Sequence, residues 1–102
     1  MGYSFYLVSK DKPILESDFE VATSNLSEFN KTGFVGSFPC DVFLEKQYIR
    51  VSGSFSVSGK YAEGFVLNLL ICFMDLGYNL RVLSSDWNYG TAADWEFFDK
   101  LT

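Results

Sequence analysis

Four carboxylates near the C-terminus are the residues best placed to do chemistry: Asp86, Asp94, Glu96 and Asp99. Two of them could act as acid and base in a hydrolase. No histidine and no metal-ligand pattern accompanies them. Asp94 and Glu96 also fall in the first turns of a predicted helix, where negative charge is stabilised by the helix dipole. The sequence therefore predicts no catalytic residue and a protein that is not an enzyme.

The rest of the inventory contains no alternative catalytic set. The absence of histidine excludes Ser-His-Asp and Cys-His catalysis as well as histidine-ligated zinc. Cys40 and Cys72 form no C-x-x-C pair and are expected to be reduced, although one bridge between them stays open. The serines at positions 52, 54, 56 and 58 have no neighbouring base and indicate a solvated strand face. We predict neither a metal nor a cofactor.

The same C-terminal segment has the composition of a protein-binding surface. Residues 84–99 combine acids with large aromatic side chains and contain no lysine or arginine. Rings can fill pockets on a partner, and carboxylates can pair with its basic residues. Trp87 and Tyr89 lie on a predicted loop and are expected to be exposed, whereas Trp95 and Phe98 are expected in the core. The predicted partner-binding residues are Asp86, Trp87, Asn88, Tyr89, Asp94 and Glu96.

Length and charge limit the kind of partner. The chain has 102 residues, which fits a single domain over 1–102. Eight basic and thirteen acidic residues give a net charge of −5, which repels phosphate and makes a basic protein a better partner than nucleic acid. The longest apolar segment, 65–74, is too short for a membrane helix, and the N-terminus has no signal-peptide pattern. A soluble cytoplasmic protein is expected.

Hydrophobic periodicity predicts the elements that carry these residues. Alternation predicts strands over 3–9, 41–45, 48–58 and 79–84, with a loop or weak strand over 33–39. Positions 46–47 are expected to form a tight hairpin connection, with a longer loop or a bulge as the alternative because neither residue favours positive φ. A capping box formed by Ser17 and Glu20 predicts a helix over 18–30. A second helix over 60–76 is apolar nearly all round and ends at Gly77 in the C′ position.

A third, short helix follows a capping box formed by Thr91 and Asp94. Its Trp95, Phe98 and Leu101 are expected to cover the second helix. The order β-α-β-β-α-β then α predicts an α+β fold: a four-stranded, mainly antiparallel sheet of split βαβ type with two helices on one face. The serine stripe is expected on the uncovered face.

Five stretches carry a family resemblance: MGYSFYLV at 1–8, FVGSFPC at 34–40, VSGSFSVSG at 51–59, GYNL at 77–80 and SSDW at 84–87. Together they resemble the small immunity proteins of bacterial contact-dependent growth inhibition and related polymorphic toxin systems. The resemblance implies a cytoplasmic, non-enzymatic protein that forms a 1:1 complex with one cognate toxin domain. The expected toxin is a basic nuclease, a ribonuclease rather than a deoxyribonuclease, blocked by the acidic surface. No site residue is implied by the resemblance.

One alternative function remains open on the sequence. The serine stripe would suit a small regulatory domain that binds a metabolite or dimerises through the open face of its sheet. Sedimentation of the pure protein and a thermal-shift screen with metabolites separate this alternative from toxin neutralisation.

Overall fold

The computed structural model describes residues 2–33, 40–56 and 59–102, and it confirms the predicted α+β fold. Four strands form one antiparallel sheet in the order β2-β3-β1-β4, and the short third helix stands at the C-terminus. The predicted loop or weak strand falls largely on 34–39, which lies outside the described residues. The elements are β1 Gly2–Ser9, α1 Glu16–Gly33, β2 Asp41–Leu44, β3 Tyr48–Ser54, α2 Gly59–Asp75, β4 Leu80–Leu83 and α3 Ala92–Leu101.

The larger core lies between the sheet and the helices α1 and α2, as predicted. Alternate residues of β1, Phe5 and Leu7, face this core and are fully buried. Leu26 of α1 and Phe73 of α2 pack in the same cluster. Both helices therefore cover one face of the sheet, because the period-two pattern of the strands puts their apolar residues on that side.

The third helix covers the opposite face of the sheet, so the prediction that it covers α2 is wrong. Phe98 packs with Val8 and Leu83 in a separate cluster, and the Tyr6 ring lies 4.4 Å from the Phe98 ring. Tyr6 and Val8 alternate with Phe5 and Leu7 and therefore point away from α1 and α2. β1 is apolar on both sides, and the second side recruits α3.

Because α3 packs elsewhere, one side of α2 stays in contact with solvent. Leu67, Ile71 and Met74 follow the helix at spacings of four and three and expose 40%, 54% and 59% of their surface. These three residues are called the α2 stripe below. Residues at such spacings share one face of a helix, so the stripe is continuous.

The start of α1 also differs from the prediction. The helix begins at Glu16, and the Phe19 amide already donates to the Leu15 carbonyl at 2.9 Å, so Ser17 is not the N-cap. The Tyr78 hydroxyl accepts from the Leu15 amide at 3.1 Å and donates to the Asp18 carboxylate at 2.6 Å. A distant tyrosine therefore satisfies the helix terminus in place of the local capping box. Tyr78 is buried. Its burial, and to a smaller extent its hydrogen bond to Asp18, raise the pKa of its hydroxyl.

The end of α2 follows its sequence signal. Gly77 has φ 89°, its amide donates to the Met74 carbonyl at 3.0 Å, and the Tyr78 amide donates to the Phe73 carbonyl at 3.1 Å. These two bonds define a Schellman motif with Gly77 at C′. The Phe73 and Tyr78 rings meet edge to face at 5.7 Å, which supplies the accompanying apolar contact.

The predicted tight connection between β2 and β3 is confirmed. The Glu45 amide donates to the Tyr48 carbonyl at 2.9 Å, which closes the hairpin around Lys46 and Gln47. The turn is also held from outside, since the Ser9 amide donates to the Gln47 carbonyl at 2.8 Å. β3 ends at Ser54, and the last two residues of the predicted strand, 57–58, lie outside the described residues.

Candidate protein-binding surface

The segment between β4 and α3 is a closed loop with defined backbone geometry. The Ser84 amide donates to the Tyr89 carbonyl at 3.1 Å, and the Tyr89 amide donates back at 2.9 Å. Asn88, within the loop closed by these bonds, has φ 57°, and Gly90, directly after Tyr89, has φ 105°. Both left-handed conformations help the chain to reverse direction. A Cβ at Gly90 would lie 2.9 Å from Nε1 of Trp95, so only glycine fits there. The predicted contact residues 86–89 therefore sit on a preformed loop.

Trp87 anchors this loop to the larger core, so the prediction that it is exposed is wrong. Its ring stacks on Phe5 at 4.7 Å and on Phe55 at 5.5 Å, and it meets the edge of Tyr3 at 5.4 Å. Offset-stacked and edge-to-face pairs such as these stabilise beyond the area they bury. Trp87 is half-buried, and it fixes the loop instead of offering a free ring to a partner.

Tyr89 is likewise half-buried and tied to α2. Its hydroxyl donates to Oε2 of Glu63 at 2.6 Å, and its ring lies 6.3 Å from that of Phe5. The bond to Glu63 and burial together raise the pKa of Tyr89, because the bond favours the protonated phenol. The expectation of an exposed Tyr89 ring is therefore also wrong, although its polar end lies at the surface beside Glu63.

Beyond the end of β4 at Leu83, the side chains of Ser84 and Asp86 continue the hydrogen bonding to β1. The Ser4 amide donates to Oδ2 of Asp86 at 3.1 Å, and the Ser84 hydroxyl donates to the Ser4 carbonyl at 2.8 Å. The two side chains thus satisfy backbone groups that a longer β4 would have satisfied. Asp86 is exposed, and one of its carboxylate oxygens accepts the bond from the Ser4 amide.

Asp94 has a structural role, which corrects its assignment as a partner contact. Only 2% of its surface is exposed. It completes the predicted capping box with Thr91, and Lys10 and Arg81 approach its carboxylate at 2.6 Å and 3.3 Å. The bond from Lys10, opposed by burial and helped by Thr91 and Arg81, holds the pKa of Asp94 well below its ordinary value. Its charge is already neutralised within the chain.

Asn88 and Glu96 are predicted partner contacts, and both are exposed. Glu96 makes only a surface pair with Lys100 at 3.7 Å, four residues along α3. Exposed pairs of this kind contribute little to stability. The predicted set therefore divides into exposed groups, Asp86, Asn88 and Glu96, and groups that hold the loop and helix in place, Trp87, Tyr89 and Asp94.

The structure adds a groove that the sequence analysis missed. It has a volume of about 400 Å³ and runs along β4, at the edge of the sheet. Leu70 of α2 stands on one side, Asp94 of α3 and its N-cap residue Thr91 stand on the other, and Tyr89 closes one end. The all-round apolar character of α2 was the available signal, but strand order was needed to place an open edge beside it.

The described residues offer no support for catalysis by other groups. Both cysteines are free thiols, and burial raises the pKa of Cys40 and of Cys72, so neither is an activated nucleophile. Across residues 2–33, 40–56 and 59–102, no cluster of acidic or cysteine side chains could hold a metal ion. None of the helices in that part of the chain is long and apolar enough to cross a membrane.

The open part of the second sheet face carries the first two serines of the predicted stripe; Ser56 lies in the turn after β3, and position 58 lies outside the described residues. Ser52 and Ser54 are half-buried there, and the Arg50 guanidinium lies over the exposed Phe43 ring at 4.7 Å. A concavity between the β2–β3 turn and Leu101, at the other end of β3, measures about 170 Å³. Sites for small molecules are usually about 300–1,000 Å³.

Comparison with known proteins identifies no relative: no protein-family model matches the chain, and neither a curated protein nor a solved structure matches it significantly.

Proposed function

We propose that this chain is an immunity protein of the contact-dependent inhibition type. It acts in the cytoplasm as a monomer that binds one cognate toxin domain in a 1:1 complex. The toxin is a basic nuclease, a ribonuclease rather than a deoxyribonuclease, and the chain blocks its active site without catalysis. The observation that carries the proposal is a pair of exposed carboxylates, Asp86 on the fixed loop at 84–90 and Glu96 on α3, on a domain of net charge −5.

A preformed loop supports tight binding because little conformational entropy is lost when it docks. Trp87 and Tyr89 hold the backbone, while Asp86, Asn88 and Glu96 remain available to a partner. A nuclease must attract phosphate, so its active site presents basic groups that such carboxylates can pair with. Opposite charge also speeds the encounter of the two proteins.

The alternative of a metabolite-binding domain receives less support from the geometry. A concavity on the serine-bearing face, beside the β2–β3 turn, is smaller than ordinary ligand sites, and Arg50 covers part of that face by lying over Phe43. The groove along β4 has the volume of a small-molecule site, but it lies at the sheet edge, away from the serines on which this alternative rests. A ligand-dependent rise in melting temperature in a metabolite screen would nevertheless favour that alternative over toxin binding.

The first test starts from the gene immediately upstream, which we expect to encode a large secreted protein that ends in a short, basic domain. We expect that domain to arrest growth when expressed alone in a bacterial cytoplasm and to be harmless when this chain is co-expressed. Size-exclusion chromatography of the mixture should give a 1:1 complex, and nuclease activity in vitro should disappear on addition of this chain. Growth arrest that persists despite equal expression of both proteins would contradict the proposal.

The electrostatic part is tested by charge reversal at Asp86 and Glu96. The double variant Asp86→Lys, Glu96→Lys should associate with the toxin domain about tenfold more slowly at low salt and with weaker salt dependence. Asp94 is left unchanged because its charge is internal. The control Glu20→Lys, Glu45→Lys changes the net charge equally at exposed positions elsewhere. Equal slowing by both pairs, measured by stopped-flow fluorescence, would remove the loop from the mechanism.

A further inference from the structure

The outer edge of β4 presents backbone groups that no strand of the described sheet pairs with. Ser84 exchanges both backbone hydrogen bonds with Tyr89, which lies on the side of β4 away from β1. Backbone groups point to alternate sides along a strand, so those of Val82 and Leu80 point to the same outer side as those of Ser84. Within the described part of the chain, the ladder to β1 uses the intervening residues, Leu83 and Arg81.

The groove gives this edge the shape of a slot for one extended segment. Leu70 of α2 lies on one side of β4, and Asp94 of α3 with its N-cap residue Thr91 lies on the other. An added strand would lie about 5 Å from β4, between these two walls. Tyr89 already occupies the position opposite Ser84, so the slot is closed at that end and open along Leu80 and Val82.

The two walls differ in chemistry, which defines the segment that fits. The α2 wall is apolar, because Leu70 lies on the same helix face as the α2 stripe, at spacings of three or four residues from Leu67 and Met74. On the α3 side, Arg81 of β4 lines the groove beside Asp94, whose single carboxylate is also paired with Lys10. The Arg81 side chain keeps half of its surface exposed. A segment with apolar residues towards α2 and a carboxylate towards Arg81 is complementary to both walls.

We propose that an extended segment of the partner protein binds in this groove as a fifth strand, hydrogen-bonded to Val82 and Leu80. The segment alternates apolar residues, which cover Leu70 and the α2 stripe, with polar ones that include an acid facing Arg81. Backbone pairing contributes affinity, and the alternate side chains contribute specificity. The proposal rests on the proposed function for the identity of the partner, the toxin domain, and adds how that domain docks.

Proline substitution at Val82 tests the edge directly. Val82→Pro removes an amide that points away from β1, so the sheet keeps its own hydrogen bonds, and proline is tolerated at such edge positions. The matched control is Val42→Pro in β2. Val42 is also half-buried against the larger core. The Glu45 amide points to Tyr48 of β3, and backbone groups alternate in direction along a strand, so the amide of Val42, three residues earlier, points away from β3.

We expect Val82→Pro to weaken binding of the toxin domain at least about tenfold in calorimetry, with Val42→Pro close to wild type. Thermal unfolding of both variants checks that they fold. Hydrogen exchange gives a readout that needs no variant: the amide of Val82 should become at least about tenfold more protected in the complex, while Leu83, already paired with β1, changes little.

The outcomes separate this proposal from the proposed function. If the wild type does not bind the toxin domain, both are overturned. If it binds but Val82→Pro and Val42→Pro behave alike, and Val82 gains no protection, the function stands and strand addition is overturned. If sedimentation of the wild type alone reveals a dimer that Val82→Pro dissociates, the groove belongs to a second copy of the chain, and a toxin segment as its occupant is overturned.

Discussion

The two faces of the sheet are stabilised in different ways. The face under α1 and α2 holds a broad cluster of fully buried apolar side chains, including Phe5, Leu69 and Phe73. The face under α3 has three buried apolar residues, and its helix is positioned by the polar contacts of Asp94. Apolar burial is strong and non-directional, whereas hydrogen bonds and ion pairs fix one geometry. The first face therefore contributes most of the stability, and the second fixes the position of α3 and of the loop before it.

The largest expected effect comes from truncating the first face. Phe73→Ala removes a fully buried ring between α2 and the sheet and should lower the free energy of unfolding by about 3–5 kcal/mol. Ile71→Ala, in the exposed α2 stripe two residues earlier, should cost less than about 1 kcal/mol. Urea denaturation followed by circular dichroism measures both. Similar losses at the two positions would mean that the stripe is buried in solution.

An intermediate effect is expected at the polar anchor of the second face. Asp94→Asn removes the charge that Lys10 and Arg81 share and should lower the free energy of unfolding by about 2 kcal/mol, moderated by the partial exposure of both cations. The loss should concentrate in α3, so amides of that helix should exchange faster than those of α2. Uniform acceleration across both helices would contradict separate roles for the two faces.

The same carboxylate predicts a pH dependence. The folded-state pKa of Asp94 is depressed below its unfolded value of about 3.9, so its contribution is fully present above that value and is lost as pH falls towards the folded pKa. The wild type should therefore lose stability between about pH 5 and pH 2 more steeply than Asp94→Asn. Parallel curves of melting temperature against pH would exclude Asp94 as the group responsible.

The smallest change in stability is expected in the loop that connects β4 to α3. Tyr89→Phe keeps the ring beside Phe5 but removes the hydrogen bond to Glu63, which should cost about 1 kcal/mol. Combining it with Glu63→Ala, which removes the acceptor, in a double-mutant cycle isolates the pair from the packing of the ring. Additive losses would show that the hydroxyl and the carboxylate do not interact, and that stacking alone fixes the loop.

Some of the candidate surface could be predicted from sequence, and some could not. The sequence predicts a loop over 85–90 that contains Asp86 and Asn88, because turn residues there follow a predicted strand. The burial of Trp87 could not be foreseen, since its stacking partners Phe5 and Phe55 come from β1 and from the turn after β3. The residues next to Trp87 in the chain would be the same whether its ring were exposed or stacked.

Local rules determined what depends on neighbours in the chain. The order of elements follows from hydrophobic patterns within each segment. The C′ position of Gly77 and the capping box at Thr91 join residues that are close in the sequence, so each motif can be recognised without knowing the fold. Tertiary structure decided the side on which α3 packs, the pairing of Asp94 with Lys10, and the open groove along β4. Those features depend on which surfaces meet when the strands assemble, and a pattern that leaves β1 apolar on both faces does not say which helix covers which side.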